Sequence, residues 1–126
     1  MIVLTADEII LLHEKLIAAT GGSPGLRDWG LLESATYSVN SGFDETEQYP
    51  AVPEKAARFA YALIQNHAFV DGNKRIGILV MLSTLRMNSI EIRYTQQELL
   101  HLGLGIANGA LNYARILTWI EQHMAE

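Results

Sequence analysis

The chain contains no cysteine. That absence excludes disulfide bonds, thiolate metal sites and thiol catalysis, and it suits a reducing compartment, so we expect a cytoplasmic protein. The chain also lacks any apolar run near the roughly 18 to 20 residues that a membrane span needs, and its first residues, MIVLTADEII, lack the basic segment of a secretion signal. We therefore expect neither secretion nor a membrane partner.

Positive charge is scarce as well. Nine Lys and Arg residues oppose 14 Asp and Glu residues, which gives a formal net charge of -5. Because nucleic-acid affinity comes largely from clustered Lys and Arg that displace counterions, this balance predicts no direct nucleic-acid partner. Apolar residues, by contrast, make up 49% of the 126 residues, which is enough for one buried core. We expect a single domain over residues 1–126.

Capping residues and apolar periodicity predict an all-helical domain. Thr5 and Glu8 form a capping box, and apolar residues then recur at helical spacing to about residue 20, where GGSPG indicates a helix stop. Asp28 can cap a second short helix. Residues 41–53, SGFDETEQYPAVP, contain three acids and two prolines without a helical stripe, so we expect an exposed loop or small hairpin there.

Further helices are predicted on either side of a short break. Pro53 fits the first turn of a third helix, whose apolar stripe ends at His67. The apolar run IGILVML, residues 76–82, predicts a helix buried in the middle of the domain, with Asn88 at its end. The remaining predictions are a short strand over residues 89–94, a capping box at Thr95 and Glu98, and a helix over residues 113–123.

The residues that bear chemistry concentrate in the break, at residues 67–75, HAFVDGNKR. A helix that starts near Asn73 leaves unpaired backbone N–H groups in its first turn, where the helix dipole is positive. Lys74 and Arg75 lie in that turn, and two cations there disfavour the helix unless an anion binds. The pattern therefore predicts a phosphate site.

Neighbouring residues complete the chemistry of a phosphate-transfer site. Gly72 allows the backbone to approach a ligand closely, and Asp71 supplies a hard oxygen suited to Mg2+ shared with phosphates. His67 can exchange a proton near neutral pH. Taken singly, His67 is more simply a core histidine, and Asp71 with Gly72 an ordinary turn. Only the combination with two cations favours a site for phosphoryl or nucleotidyl transfer.

Residues 67–75 resemble the signature of the Fic/Doc (Fido) family, which reads His, any residue, Phe, any residue, Asp or Glu, Gly, Asn, any residue, Arg. The segments GGSPGLRDWGLLESA, residues 21–35, and YPAVPEKAARFAYALIQN, residues 49–66, are similar to its death-on-curing toxin branch. The resemblance implies an all-α helical bundle with a short β-hairpin flap. It also implies transfer of a phosphate-containing group from a nucleotide to a protein hydroxyl.

The resemblance implies a role for each site residue. His67 resembles the general base, Phe69 a core anchor, and Asp71 the acid that holds the metal. The implied cofactors are ATP and Mg2+. The phosphate loop of the resemblance falls on Gly72, Asn73, Lys74 and Arg75.

The flap of the resemblance falls on residues 41–50, with Glu47 and Tyr49 as candidate contacts to the target. Family members are often restrained by an inhibitory helix that carries Ser or Thr, three residues, Glu, and then Gly or Asn. The nearest match, residues 41–45, is followed by Thr46 and lies in the flap. We therefore expect a separate antitoxin protein that acts in trans, and no self-inhibition.

Two departures from the AMP-transferring pattern change the expected reaction. Lys74 stands where those enzymes carry Gly, and Ile78 stands where they carry a second Arg that grips the terminal phosphates. The death-on-curing branch shares the Asn-Lys-Arg variant and is associated with transfer of the γ-phosphate of ATP to a hydroxyl on a translation elongation factor. We therefore expect a toxin that acts as an ATP-dependent protein kinase and arrests growth by blocking translation, ahead of AMP transfer (AMPylation) to a protein hydroxyl.

Two other interpretations stay open. A second alternative is that residues 67–75 serve a noncatalytic module that binds an anion or a segment of the antitoxin. A small toxin would alternatively cut RNA, with His67 as the acid-base group and Arg75 as the phosphate clamp. The acidic net charge argues against the nuclease, and turnover of ATP would separate the enzyme from the binding module.

Overall fold

The computed structural model describes residues 1–40, 42–43, 46–47 and 49–125, with the backbone alone at 42–43 and 46–47. These residues form six helices and one antiparallel hairpin of two short strands. The predicted all-α fold with a short hairpin is confirmed. In chain order the elements are α1 (Ala6–Thr20), α2 (Trp29–Asn40), β1 (Gly42–Phe43), β2 (Thr46–Glu47), α3 (Val52–Asn66), α4 (Asn73–Met87), α5 (Gln96–Ala107) and α6 (Tyr113–His123).

The predicted capping residues mark the starts of three helices. Thr5 Oγ1 accepts a hydrogen bond from Glu8 N at 3.2 Å, and Glu8 Oε1 accepts one from Thr5 N at 2.9 Å, which closes the capping box of α1. Thr95 and Glu98 make the same pair of hydrogen bonds at α5, at 3.1 and 2.8 Å. The Asp28 carboxylate accepts a hydrogen bond of 3.0 Å from the first turn of α2. Each cap satisfies N–H groups that the helix leaves unpaired, and it stabilises the helix by about 1 kcal/mol.

The third helix lies at the centre of the packing. It packs most extensively against α4, and it also contacts α2, α5 and α6. Buried side chains on its two sides form two apolar clusters. Because α3 and α4 pack against both clusters, the turn that connects these two helices is supported at each end. The first cluster, with α1 and α2, includes Ile9, Leu32, Phe59, Leu63 and Val80. The second, with α5 and α6, includes Ile64, Met81, Leu102 and Ile116.

The strand predicted over residues 89–94 is wrong. Among the described residues of this segment, only Ile92 forms a β-bridge, to Met124, and two backbone hydrogen bonds of 2.8 and 2.9 Å flank it. Alternation of apolar and polar residues favours a strand only where a second extended segment pairs with it along its length. Here the segment that follows α6 pairs with it over a few residues. Within the described ranges, no helix has both the length and the apolarity that a membrane crossing requires.

Candidate active site

The turn between α3 and α4 carries the predicted site, and His67 opens it. Helix α3 ends at Asn66, and His67 adopts a left-handed backbone conformation with φ 52° and ψ 51°. The apolar stripe of α3 ends at Ile64, which is 1% exposed, whereas His67 is exposed. The prediction that His67 ends the buried stripe is therefore wrong, because the chain has already left the helix at this residue. An exposed imidazole is accessible to a substrate.

Asn73 shapes the turn from within. Its Oδ1 accepts a hydrogen bond from Phe69 N at 2.9 Å, and its Nδ2 donates to Phe69 O at 3.0 Å. Phe69 is 2% exposed and packs in the first apolar cluster, as expected for a core anchor. The Asn73 side chain is thus bound to the backbone of the turn. In this conformation, the group that Asn73 can offer to a phosphate is its backbone N–H.

Asp71 presents a carboxylate that is 46% exposed. Its Oδ2 accepts a hydrogen bond from Ser23 N at 3.1 Å, and its Oδ1 accepts one from Gly72 N at 2.8 Å. These two amide hydrogen bonds, aided by the charges of Arg75 and His13 and opposed by partial burial, hold the pKa of Asp71 below its ordinary value of 3.8. Asp71 is therefore ionised at neutral pH.

The chemistry of this carboxylate fits a magnesium ion whose other ligands come from outside the chain. Within the described ranges, no group of three or more His, Cys, Asp or Glu side chains could hold a metal ion by itself. Asp71 therefore offers a single hard oxygen ligand group to Mg2+. Binding through one or two carboxylates, with water and substrate phosphates as the other ligands, is the usual mode of Mg2+ beside nucleotides.

Helix α4 begins directly after this carboxylate. Gly72 is its N-cap, with φ 74° and ψ 19°, and the hydrogen bond from Ile76 N to Gly72 O at 2.8 Å opens the helical ladder. The N–H groups of residues 73–75 come before this bond and have no acceptor one turn back. Together with the positive end of the helix dipole, these amides make the start of α4 receptive to an anion.

The two cations in the first turn of α4 have different surroundings. Arg75 donates from Nη1 to Thr20 Oγ1 at 2.7 Å and to Gly21 O at 2.8 Å, and its Nη2 lies 3.7 Å from Asp71 Oδ1. Arg75 therefore joins the C-terminal end of α1 to the site. Lys74 is partly exposed beside α5, and it forms no ion pair with any carboxylate in the described part of the chain. Of the two cations, Lys74 is thus the one whose ammonium pairs with no carboxylate among the described residues.

Residues 21–28 brace the turn, although GGSPG by itself indicated only a helix stop. Gly25 O accepts a hydrogen bond from Val70 N at 3.0 Å, and Ala68 O accepts one from Arg27 N at 2.8 Å. The Arg27 guanidinium also donates from Nε to His67 O at 2.8 Å. These contacts fix the backbone of residues 67–70, which carries the imidazole of His67. The sequence offered one signal for this bracing role, a glycine-rich segment that ends in Arg. An ordinary helix stop can have the same sequence, so the signal did not predict the contacts.

The predicted flap lies partly outside the described residues. Strands β1 and β2 pair antiparallel, but residues 41, 44, 45 and 48 and the side chain of Glu47 are not described. Tyr49 follows the hairpin, and its ring packs edge-on against Tyr113 with 5.1 Å between centroids. The Arg58 guanidinium lies 5.8 Å from the centroid of the Tyr49 ring. Tyr49 therefore anchors the base of the hairpin on α3 and α6, and contact with a target stays a prediction for both flap residues.

A cavity of about 400 Å³ lies elsewhere in the molecule. It is lined by residues 79–86 of α4 and by residues of the segment 89–94. None of residues 67–75 lines it. Residues 71–75 of the candidate site are instead partly exposed at the start of α4.

The helical fold and the anion-receptive turn define a class of protein that comparison with known sequences identifies. The chain belongs to the Fic/DOC family, because the sequence model described as "Fic/DOC family" matches residues 3–85. This range includes α1, the bracing segment 21–28 and the whole of the turn. The resemblance seen at residues 67–75 is therefore confirmed at the level of the family.

Individual relatives carry the same family name. The chain is similar to "Protein kinase doc" of Escherichia phage P1, with 29% identity over 113 residues, which are 90% of this chain and 88% of the relative. It is also similar to "Toxin Doc" of Mycolicibacterium smegmatis (strain ATCC 700084 / mc(2)155), with 35% identity over 74 residues, which are 59% of this chain and 57% of the relative. Both names agree with the death-on-curing branch of the family.

Proposed function

We propose that this chain is the toxin of a type II toxin–antitoxin system and acts as an ATP-dependent protein kinase. It transfers the γ-phosphate of ATP to a hydroxyl side chain of a protein target, for which we propose a translation elongation factor. The observation that carries the proposal is an ionised, half-exposed Asp71 directly before the open amides of α4, with Lys74 and the exposed His67 close by in sequence. The names of the two relatives, a protein kinase and a toxin, support the same activity.

In this reaction His67 accepts the proton of the target hydroxyl. The hydroxyl oxygen bonds to the γ-phosphorus of ATP while the bond from that phosphorus to the β,γ-bridging oxygen breaks, and ADP leaves. Phosphoryl transfer depends mainly on positioning and on charge neutralisation. The N–H groups of residues 73–75 and the ammonium of Lys74 supply fixed positive charge to the phosphate oxygens.

Asp71 is the residue that would hold Mg2+, which when bound neutralises part of the phosphate charge. The amides of Ser23 and Gly72 keep this carboxylate in place and ionised. Arg75 supports the same carboxylate from the side of α1, and its direct contact with a phosphate belongs to the proposal. A Cβ at Gly72 would lie 3.1 Å from Ile17 Cδ1 and 3.4 Å from Arg75 Nη2, so glycine at this position lets the start of α4 pack closely on α1.

We propose phosphate transfer in preference to AMP transfer because of residue 78. The AMP-transferring pattern places here a second Arg that grips the terminal phosphates. In this chain Ile78 packs instead against the second apolar cluster, close to Gly103 of α5. Without that grip, the γ-phosphate is the group left open to attack.

The proposed regulator is a separate antitoxin protein. Relatives named Doc support this partner. The nearest match to the inhibitory motif, at residues 41–45, lies in the flap segment and largely outside the described residues. Restraint in trans therefore remains the proposal for this chain.

The test is incubation of the purified chain with an elongation factor, ATP and Mg2+, followed by mass measurement of the intact proteins. Addition of a phosphate to the target supports the proposal, and addition of AMP supports AMP transfer. If the chain consumes no ATP and no tested protein gains mass, the result supports a noncatalytic binding module. Fragmentation of RNA by the chain supports a nuclease.

The His67→Asn variant tests the base. Asn tolerates the left-handed conformation of residue 67, so the substitution removes the imidazole without adding backbone strain. We expect at least about 100-fold slower transfer, because general base catalysis contributes about that factor or more. The matched control is His101→Asn, at an exposed histidine of α5, which should transfer phosphate at the wild-type rate. Equal rates for both variants would remove His67 from the mechanism.

The Lys74→Met variant tests the phosphate-binding charge. Met keeps the apolar part of the side chain beside α5 and removes the ammonium. We expect ATP affinity to fall about tenfold, the effect of one charge-assisted hydrogen bond. The control is Lys15→Met, at an exposed lysine of α1, which should bind a fluorescent ATP analogue as the wild type does. Unchanged affinity of Lys74→Met would show that Lys74 does not contact the nucleotide.

A further inference from the structure

His13 is a buried polar residue that lies against the turn although it belongs to none of the residues 67–75. It is 1% exposed and stands on α1. Its ring stacks on the ring of Phe69, with 3.9 Å between centroids and 16° between planes. Its Nε2 lies 2.7 Å from the backbone oxygen of Asp71. The proposed reaction gives this histidine no task.

The hydrogen bond to Asp71 defines what His13 does. A backbone carbonyl oxygen can only accept, so Nε2 of His13 must carry a proton and donate it. On the other side of the same peptide, Gly72 N donates to Asp71 Oδ1 at 2.8 Å. The peptide unit that joins Asp71 to Gly72 is therefore fixed at its oxygen by His13 and at its nitrogen by the carboxylate.

This peptide unit needs these two hydrogen bonds to fix its orientation because one of its residues is glycine. Gly72 has φ 74°, and glycine adopts positive and negative φ almost equally well, so the backbone alone does not choose one orientation of the peptide. A flipped peptide would turn the Gly72 N–H away from the Asp71 carboxylate. It would also leave the buried Nε2 of His13 without its acceptor, which is costly because His13 is 1% exposed.

We propose that His13 is a positioning residue, which holds the Asp71–Gly72 peptide in the orientation that aims the Asp71 carboxylate and the start of α4. Stacking on Phe69 sets the plane of the imidazole, and the hydrogen bond of Nε2 sets the peptide. The part of the proposal that concerns nucleotide binding rests on the proposed function. The part that concerns the peptide stands on the contacts of the unliganded chain.

Three variants separate the donor, the ring and a general loss of stability. His13→Phe keeps an aromatic ring and removes the donor. His13→Gln removes the ring but places an amide N–H near the position of Nε2. The control is Thr84→Val, which removes a buried hydrogen bond of 2.7 Å within α4, from Thr84 Oγ1 to Val80 O, away from the turn.

The main measurement is hydrogen exchange of the Gly72 amide by NMR, without any ligand. We expect this amide to exchange about fivefold faster or more in His13→Phe, the ratio that one ordinary hydrogen bond contributes, and near the wild-type rate in His13→Gln. Thr84→Val should leave it unchanged while lowering the melting temperature. Should His13→Phe fail to fold, His13→Asn replaces it, because its shorter amide cannot reach Asp71 O.

Binding of Mg2+-ATP to the same variants forms the second measurement. We expect about fivefold weaker binding for His13→Phe and near wild-type binding for His13→Gln and Thr84→Val. Gly72 exchange that is equally fast in His13→Phe and Thr84→Val, or equally slow in all variants, would overturn the proposal. A wild-type chain that binds no Mg2+-ATP would refute the proposed function, while the exchange rates would still decide the role of His13.

Discussion

Replacement of Gly22 by Ala should disable the site through a collision that replacement of its neighbour Gly21 avoids. Both glycines have positive φ, at 87° for Gly21 and 113° for Gly22. A Cβ at Gly21 would meet nothing within 4 Å, whereas a Cβ at Gly22 would lie 2.6 Å from Asp71 Oδ2 and 3.0 Å from Arg75 Nη2. The two substitutions therefore share backbone strain and differ in contact with the site.

The expected losses of stability and of activity follow from the backbone strain and from the collision with Asp71. A positive φ in this range costs an alanine about 1 to 3 kcal/mol, which lowers the melting temperature of a domain of this size by roughly 3 to 15 °C in both variants. In Gly22→Ala the Asp71 carboxylate must also retreat by roughly 1 Å to reach ordinary contact distance. Because a misplacement of about 1 Å can cost 100-fold in rate, we expect about that loss of transfer for Gly22→Ala and less than about threefold for Gly21→Ala.

A second readout does not depend on the proposed activity. Hydrogen bonds from the amides of Ser23 and Gly72 hold the pKa of Asp71 below 3.8. Gly22→Ala should weaken the bond from Ser23 and raise the pKa of Asp71, whereas Gly21→Ala should leave it in place. NMR titration of the carboxyl carbon measures both. Equal loss of transfer in the two variants, with the same pKa of Asp71, would refute the reasoning.

Two further predictions concern Asn73 and the end of α6. Asn73→Ala removes both hydrogen bonds to the Phe69 backbone, so we expect the free energy of unfolding in urea to fall by about 1 to 3 kcal/mol, and no change would contradict this role. Burial alone would lower the pKa of His123, but hydrogen bonds to Glu98 and Trp119 O raise it above its ordinary 6.5. A raised folded-state pKa stabilises the fold below pH 6.5 and ceases to do so as pH rises through the folded value. The difference in melting temperature between wild type and His123→Gln should therefore shrink from about pH 6 to about pH 9, and a constant difference would contradict the pairing.

The starts of the helices could be predicted because their signals are local. Thr5 with Glu8 and Thr95 with Glu98 satisfy N–H groups only a few residues away, so the sequence itself contains both partners of each hydrogen bond. Asn88 lies at the end of α4, as predicted, and its signal is also local, since its Nδ2 donates to Thr84 O at 2.8 Å, four residues earlier. That residues 1–126 form one domain stays a prediction.

The surroundings of the site could not be predicted, because they come from residues distant in sequence. Arg75 was assigned to phosphate from its place in the first turn of α4, but its hydrogen-bond partners are Thr20 and Gly21, 55 and 54 positions earlier. Periodicity shows which face of a helix is buried, but not which helix end meets which turn. The role of His13 was hidden for the same reason. The failed strand at residues 89–94 is a related case, because pairing depends on a neighbour that alternation does not reveal.

The contact between α1 and the turn has a consequence for how substitutions can disable the site of this chain. Substitutions at His13 and Gly22 leave the nine letters HAFVDGNKR unaltered, yet the first removes a hydrogen bond to the Asp71 backbone and the second places a side chain against the Asp71 carboxylate. An inactivated toxin gene could therefore pass as intact in any search that reads the signature alone. Inspection of α1 and of the glycine-rich segment after it would identify genes that keep the signature but encode a disabled site.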